Sequence, residues 1–282
     1  HIYRTNKWNI PTFFFAKAPA QLVLLHVMSP YGLELRQTFS RGDLIMGRIV
    51  AIGGGEIELD ETKAIDQYIV ELSGKETPRL LFIPTASSDA PGYIATVKEK
   101  FGALGCQVHC LYLISHKYSD GQIRDKILSS HIIYVGGGDT DLMMRTWREF
   151  GVDSYLHEAY QKGIVLSGLS AGSICWFNFG HSDSMSYRNK GQWDYIRVYG
   201  LGLIPAAHAP HYNEEGRESF DAMVLEEGCV GIALEDKVAL VEIDGEYELI
   251  KADKKRKAYL LKAEGSKLDK CQLAEGKLNI SF

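Results

Sequence analysis

The sequence predicts an α/β protein: a mostly parallel sheet in three layers, with helices on both faces and β-hairpin additions toward the C-terminal end. Three observations predict it. From Met46 onward, short apolar runs alternate with segments of helical periodicity, and parallel strands need crossovers of that kind. Several runs end in loops rich in Gly, Ser or Thr, where ligands of open α/β sheets bind. Past Pro210 the pattern shifts to alternation with an Asp244-Gly245 turn, a hairpin signal.

In chain order, the expected strands are Arg48 to Ile52, Arg79 to Pro84, Gln107 to Leu113, His131 to Val135 and Gly163 to Leu166, each short and apolar. The expected helices are Glu61 to Leu72, Tyr93 to Leu104, Gly121 to Ser129, and Thr140 to Gln161 with a break near Gly151. The loops Gly53-Gly54-Gly55, Thr85-Ala86-Ser87-Ser88 and Gly136-Gly137-Gly138 should share one sheet edge. One further helix, Glu218 to Glu226, precedes alternating segments from Gly231 to Leu261, with Val238 to Ile243 and Tyr247 to Lys251 as the hairpin, and a last pair near Cys271 to Ile280.

Composition narrows the function classes. The 282 residues carry a net charge of −5, which argues against a nucleic-acid partner, since phosphate binding relies on dense positive charge. The basic cluster Lys251, Lys254, Lys255, Arg256 and Lys257 reads as a solvated face. Five cysteines without Cys-x-x-Cys spacing fit reduced thiols in a cytoplasm rather than a disulfide framework or zinc ribbon. No uninterrupted apolar run of about 18 residues occurs, so no membrane partner is expected.

The first 45 residues carry five Lys/Arg against two Asp/Glu and show no clear periodicity. A signal-peptide reading of the patch from Phe13 to Val27, with Ala18-Pro19-Ala20, meets an interruption at Lys17 and a long polar stretch afterwards. Residues 1–45 are therefore expected to be an extension outside the catalytic fold, and 46–282 a single domain.

The chemistry centres on Gly168-Leu169-Ser170-Ala171-Gly172, a strand running into a helix through Gly-x-Ser-x-Gly. Such a nucleophile elbow holds its middle residue strained and exposed, with small neighbours letting the backbones approach. Ser170 would be the nucleophile, and the Ala171 amide, near a helix N-terminus, an oxyanion donor.

A serine hydroxyl needs a base. Of nine histidines only His181, His208 and His211 follow the elbow. His211, in Ala209-Pro210-His211-Tyr212-Asn213, has a defined mount after proline. The absence of a later histidine counts against an α/β-hydrolase, whose base comes late. His208 and His211 also form His-x-x-His, but with no third placed ligand no metal is expected. Asp183, Glu214 and Glu235 are the candidate orienting acids. The glycines ending at Gly138 let a second backbone amide approach a carbonyl. Neither triple-glycine loop gives G-x-G-x-x-G, so no dinucleotide cofactor is expected.

Together, Val135-Gly136-Gly137-Gly138-Asp139-Thr140, Gly168-Leu169-Ser170-Ala171-Gly172 and Gly200-Leu201-Gly202-Leu203-Ile204-Pro205 ahead of Pro210-His211-Tyr212 resemble the serine peptidase family of dipeptidase E and cyanophycinase. The resemblance covers Met46 to about Ile250 and implies a class I glutamine-amidotransferase-like fold. It implies Ser170 as nucleophile, His211 as base, Glu235 as third triad member, and the Gly138 and Ala171 amides as oxyanion donors. It also implies a site role for Asp183, not further defined, and departs from the family at Asp139, where Asn is commoner. Dipeptidase E favours an N-terminal aspartate, whose carboxylate needs a cation, and Arg217 is the candidate. The expected activity is hydrolysis of small peptides such as Asp-Xaa through an acyl-enzyme, without cofactor, by a monomer or homodimer. The alternatives are a catalytically silent binding domain, a cyanophycinase-like enzyme and an esterase.

Overall fold

The computed structural model describes residues 22–28, 34–40, 47–189 and 191–282. The chain divides into two compact units, His1–Ile45 and Met46–Phe282. In the first, strands β1 (Leu22–Met28) and β2 (Glu34–Ser40) pair antiparallel. The candidate cleavage segment Ala18-Pro19-Ala20 lies outside the described residues.

The second unit begins with parallel strands β3 (Arg48–Ile52), β4 (Arg79–Ile83), β5 (Gln107–Cys110), β6 (Ile132–Val135) and β7 (Val165–Leu169), in the spatial order β3-β7-β6-β4-β5. The crossovers are helices α1 (Lys63–Leu72), α2 (Pro91–Ala103), α3 (Asp120–Leu128), and the pair α4 (Thr140–Glu149) and α5 (Val152–Gln161). Gly151, at φ +67°, parts the last two, where a side chain would be strained.

Alternation along the strands sorts their side chains into two cores. Val50, Ile52, Leu80, Phe82, Ile132 and Tyr134 pack with α1 and α2 through Ile65, Ile69, Val97 and Phe101. Ile49, Ala51, Leu81, Ile83, Ile133 and Val135 face the other way, against Ile127 of α3, Met143 and Trp147 of α4, and Leu156 of α5. Both faces are apolar, as a parallel sheet covered on both sides requires.

After a four-residue helix α6 (Ala171–Ile174) the chain leaves this sheet. Strands β8 (Phe177–Ser182), β9 (Ile196–Tyr199), β10 (Ile204–Ala209) and β11 (Val230–Leu234), with α7 (Phe220–Glu227) before the last, build a second sheet. One side of it, through Phe177, Ile204, Ala206, Ile232 and Leu234, joins the core on the α4–α5 face of the first sheet. The other, through Phe179, Ala207, Ala209 and Ala233, packs on Phe220 and Val224 of α7. Hairpin β12 (Val238–Ile243) and β13 (Glu246–Lys251) then returns to the first sheet beside β3, β14 (Ala258–Glu264) and β15 (Lys267–Gln272) extend the second, and β16 (Gly276–Leu278) closes the first.

The α/β class, the parallel centre and the C-terminal hairpins are as the sequence predicts. The separate six-stranded sheet is an addition to that expectation. Its strands β8 and β10 carry His181 and His208 within apolar runs, which weakens their alternation as a signal.

Candidate active site

Strands β3, β4, β6 and β7 are parallel neighbours, so the loops after them share one edge. That edge carries the elbow. Ser170 follows the last residue of β7 and adopts φ 57°, ψ −117°, a conformation costly for a residue with a Cβ. Its amide is fixed by the Ile52 carbonyl at 3.1 Å. Its carbonyl accepts from the amides of Ser173 at 2.9 Å and Ile174 at 3.0 Å, and lies 2.7 Å from Ser173 Oγ. The glycines around it are required by space: a Cβ on Gly168 would lie 2.5 Å from the Gly172 carbonyl oxygen, and one on Gly172 would lie 2.1 Å from that of Val135.

His211, after β10, also takes a positive φ, 52°, and its amide donates to the Gly53 carbonyl at 2.9 Å. Its Nδ1 lies 2.7 Å from Asp236 Oδ1. A carboxylate only accepts, so Nδ1 carries the hydrogen and Nε2 holds a free lone pair, the form a general base needs. Asn213 donates to the other Asp236 oxygen at 2.8 Å. Burial would raise the Asp236 carboxyl, but the hydrogen bonds from His211 and Asn213 outweigh it and hold the group below the ordinary carboxylate value. Gly54 makes room for this pair, since a Cβ there would lie 2.1 Å from Asp236 Oδ1 and 2.4 Å from the His211 ring.

Ser170 and His211 open on one cavity of about 510 Å³, lined also by Glu56, Ile57, Glu58, Tyr93, Gly137 and Leu169. Ser170 Oγ makes no hydrogen bond among the described residues; such contacts often tighten only with substrate present. Gly137 faces the serine, and a Cβ on it would lie 3.2 Å from Ser170 Cβ and 3.6 Å from Oγ. Gly138, at φ +134°, is backed against Ala86, whose oxygen would be 2.3 Å from an added Cβ. The amides of Gly136, Gly137 and Asp139 are taken by Ile83 O, Tyr93 Oη and Ala86 O respectively. The Gly138 amide has no such partner among the described residues. Ala171, buried, opens α6, where helix amides lack intrahelical partners. Asp139 caps α4, accepting from the Leu142 amide at 3.0 Å.

Three residues implied by resemblance lie elsewhere. Glu235 does not face His211: its carboxylate accepts from the Lys257 amide at 3.0 Å, and the adjacent Asp236 takes the place beside the imidazole. Neighbouring residues of extended chain project to opposite sides, so a one-position difference in where β11 ends exchanges the two acids. Arg217 is not a cation awaiting substrate. Only 2% exposed, it donates to the His181 carbonyl at 3.0 Å and to Asp183 at 3.3 Å, and lies 4.7 Å from the Tyr195 ring centre. Asp183 is thus the partner of that buried guanidinium.

His208 is buried, with Nδ1 2.9 Å from the Ile232 carbonyl and Nε2 2.9 Å from Ser173 Oγ. Burial lowers its pKa to about 3, which keeps the ring neutral. Both nitrogens being engaged, it does not pair with His211 as a metal ligand. His211, Glu214 and Asp236 place ligand atoms within 4.8 Å of one another. The His211 nitrogen among them that meets the acids is the one already donating to Asp236, so a cation there would displace that bond.

Asp236 beside His211 and Tyr93 on the cavity wall were not expected there. Asp236 had a signal in the Glu235-Asp236 pair, whereas Tyr93 had none beyond opening a predicted helix.

The family model for peptidase family S51 matches residues 49–250. The chain is 33% identical over 219 residues, 76% of its length and 91% of the relative's, to YgaJ of Bacillus subtilis, described as an uncharacterized peptidase. It is 27% identical over 157 residues, 55% of its length and 74% of the relative's, to Lmo0363 of Listeria monocytogenes, described likewise. Its fold matches the crystal structure of a peptidase from an acI-B1 Actinobacterium with a TM-score of 0.63 at 20% identity, over 84% of this chain and 97% of that one. With an elbow serine and a carboxylate-paired histidine opening on one cavity, and a family match over residues 49–250 that spans both, the chain belongs to peptidase family S51.

Proposed function

We propose that this serine peptidase hydrolyses small peptides through Ser170, His211 and Asp236. The observation that carries the reading is His211, 2.7 Å from Asp236, opening on the same cavity as a serine held at positive φ. His211 Nε2 takes the Ser170 hydroxyl proton as Oγ attacks the scissile carbonyl carbon. The amides of Gly138 and Ala171 receive the oxyanion. The C–N bond then breaks, with the imidazolium proton passing to the leaving amine. Water, deprotonated by the same nitrogen, attacks the acyl-enzyme, and the proton returns to Ser170 as the acid leaves. Asp236 holds the tautomer and stabilises the transient imidazolium.

For substrate, an N-terminal aspartate would need a cation in the cavity, and Arg217 is committed to Asp183. The cavity's carboxylates are Glu56 and Glu58, on the loop after β3. This favours peptides that present positive charge, a free α-ammonium or a basic side chain, over Asp-Xaa. A cytoplasmic setting belongs to the same reading, supported by the free state of Cys106, Cys110, Cys175, Cys229 and Cys271. No helix among the described residues is long and apolar enough to cross a membrane.

The test is a charge-matched dipeptide panel, Lys-Leu, Arg-Leu, Ala-Leu and Asp-Leu, with wild type beside Ser170→Ala. Cleavage abolished by Ser170→Ala and fastest on the basic peptides supports the reading. Fastest cleavage of Asp-Leu would restore the aspartyl preference, and equal rates in both proteins would end the serine mechanism.

A further inference from the structure

We infer that Tyr93 is a catalytic residue of the Ser170 cavity, donating its phenolic hydrogen to the substrate's acyl oxygen alongside the backbone amides. The inference rests on the serine-peptidase reading and adds to it a side-chain donor from α2.

Tyr93 stands in the first turn of α2, with Gly92 and Thr96 beside it on the cavity wall. Its ring is fixed from two sides. Phe82 packs against it edge-on, centroids 5.3 Å apart at 71°. Gly136 is pressed so close that an added Cβ would lie 2.8 Å from a ring carbon. The hydroxyl oxygen accepts the Gly137 amide hydrogen at 3.3 Å.

A phenol has one hydrogen to give as well as lone pairs to receive with. Gly137 uses the receiving side, and among the described residues nothing accepts the hydrogen. Gly137 is also the glycine that faces Ser170, with a hypothetical Cβ 3.6 Å from Oγ. Tyr93 Oη and Ser170 therefore flank one glycine, on the loop that supplies the Gly138 amide. Burial pushes the phenol pKa up, so the hydrogen stays in place at working pH. A neutral, fixed donor in a partly enclosed cavity can stabilise developing negative charge with little reorganisation.

The experiment reads the second-order rate of Ser170 labelling by a fluorophosphonate, whose phosphoryl oxygen occupies the place of the acyl oxygen, together with kcat and KM on the fastest dipeptide of the panel. Tyr93→Phe keeps the ring and removes the hydrogen. It should lower both the labelling rate and kcat by roughly 10- to 100-fold, with KM within about twofold. Placing 3-fluorotyrosine at position 93 separates donor from acceptor, because the fluorine makes the hydroxyl a better donor and a poorer acceptor. Labelling as fast as wild type or faster supports donation to substrate. A loss like that of Tyr93→Phe would mean the hydroxyl acts only by holding Gly137, and would overturn the inference. So would Tyr93→Phe rates within twofold of wild type while Ser170→Ala is inactive, an outcome that leaves the peptidase reading standing. If Ser170→Ala kept full activity, both would fall.

Discussion

The two halves of the candidate site come from different sheets and are built by different means. Ser170 follows a parallel strand of the eight-stranded sheet, and its geometry is set by strand β7, helix α6 and glycines pressed against Val135 of the neighbouring strand, with the Ile52 carbonyl on its amide. His211 and Asp236 follow β10 and β11 of the six-stranded sheet, 25 residues apart in sequence. They meet through long-range contacts: the His211 amide on Gly53, the Asn213 side chain on Asp236, and the Lys237 amide on Gly54. A nucleophile can be specified locally; a base and its acid are specified by topology.

That difference explains what the sequence made legible. The elbow is readable because one pentapeptide carries its small residues and its serine together, and the parallel centre is readable because each strand carries its own apolar run and each crossover its own periodicity. The expectation of Gly138 and Ala171 as oxyanion donors draws on equally local sequence. The second sheet was not readable as a unit, since β8 to β10 are short and interrupted by His181, Gly180 and His208, and their pairing is settled only in space. For the same reason the carboxylate beside His211 is Asp236, one position from the expected Glu235. Arg217 was expected to meet a substrate carboxylate because nothing local announces that Asp183, 34 positions earlier, and the ring of Tyr195 enclose it.

The largest effect should fall on the local half. Ser170→Ala removes the attacking atom, and hydrolysis of the panel dipeptide should drop by about 10⁴-fold or more, measured against an enzyme blank. The topological half should be nearly as sensitive at one acid and indifferent at its neighbour. Asp236→Asn leaves the shape but lets an amide meet Nδ1, favouring the wrong tautomer, so kcat should fall by roughly 10³- to 10⁴-fold. Glu235→Gln should stay within about threefold; the reverse ranking would return the third triad position to Glu235. Gly54→Ala joins the halves, because its Cβ would strike both members of the pair at 2.1 and 2.4 Å. We expect about a 100-fold loss of kcat, with Ser170 still labelled slowly by a fluorophosphonate.

The smallest effect concerns stability, away from the cavity. Glu242, on β12 between β13 and β3 of the first sheet, is 1% exposed, and burial raises its carboxyl to about 7 although the Gly245 amide and Tyr160 hydroxyl bond to it. In the unfolded chain it titrates near 4.5, so between about 4.5 and 7 the folded state binds the extra proton. Its contribution is therefore largest at acid pH and declines as pH rises through that window. Glu242→Gln should flatten the corresponding slope of Tm against pH, with activity at pH 6 unchanged; an identical slope in the variant would assign the dependence to other groups.

The Ser170 carbonyl has a consequence of its own. Two amide donors from α6, those of Ser173 and Ile174, draw that oxygen inward, beside the Ser173 hydroxyl that His208 engages. In a planar trans peptide the carbonyl and the following N–H point in opposite directions. Fastening the oxygen toward the protein interior therefore turns the Ala171 N–H outward as a matter of bond geometry. The attacking hydroxyl and its anion cradle stand at two ends of one stiff plate, aimed together by the amides of α6.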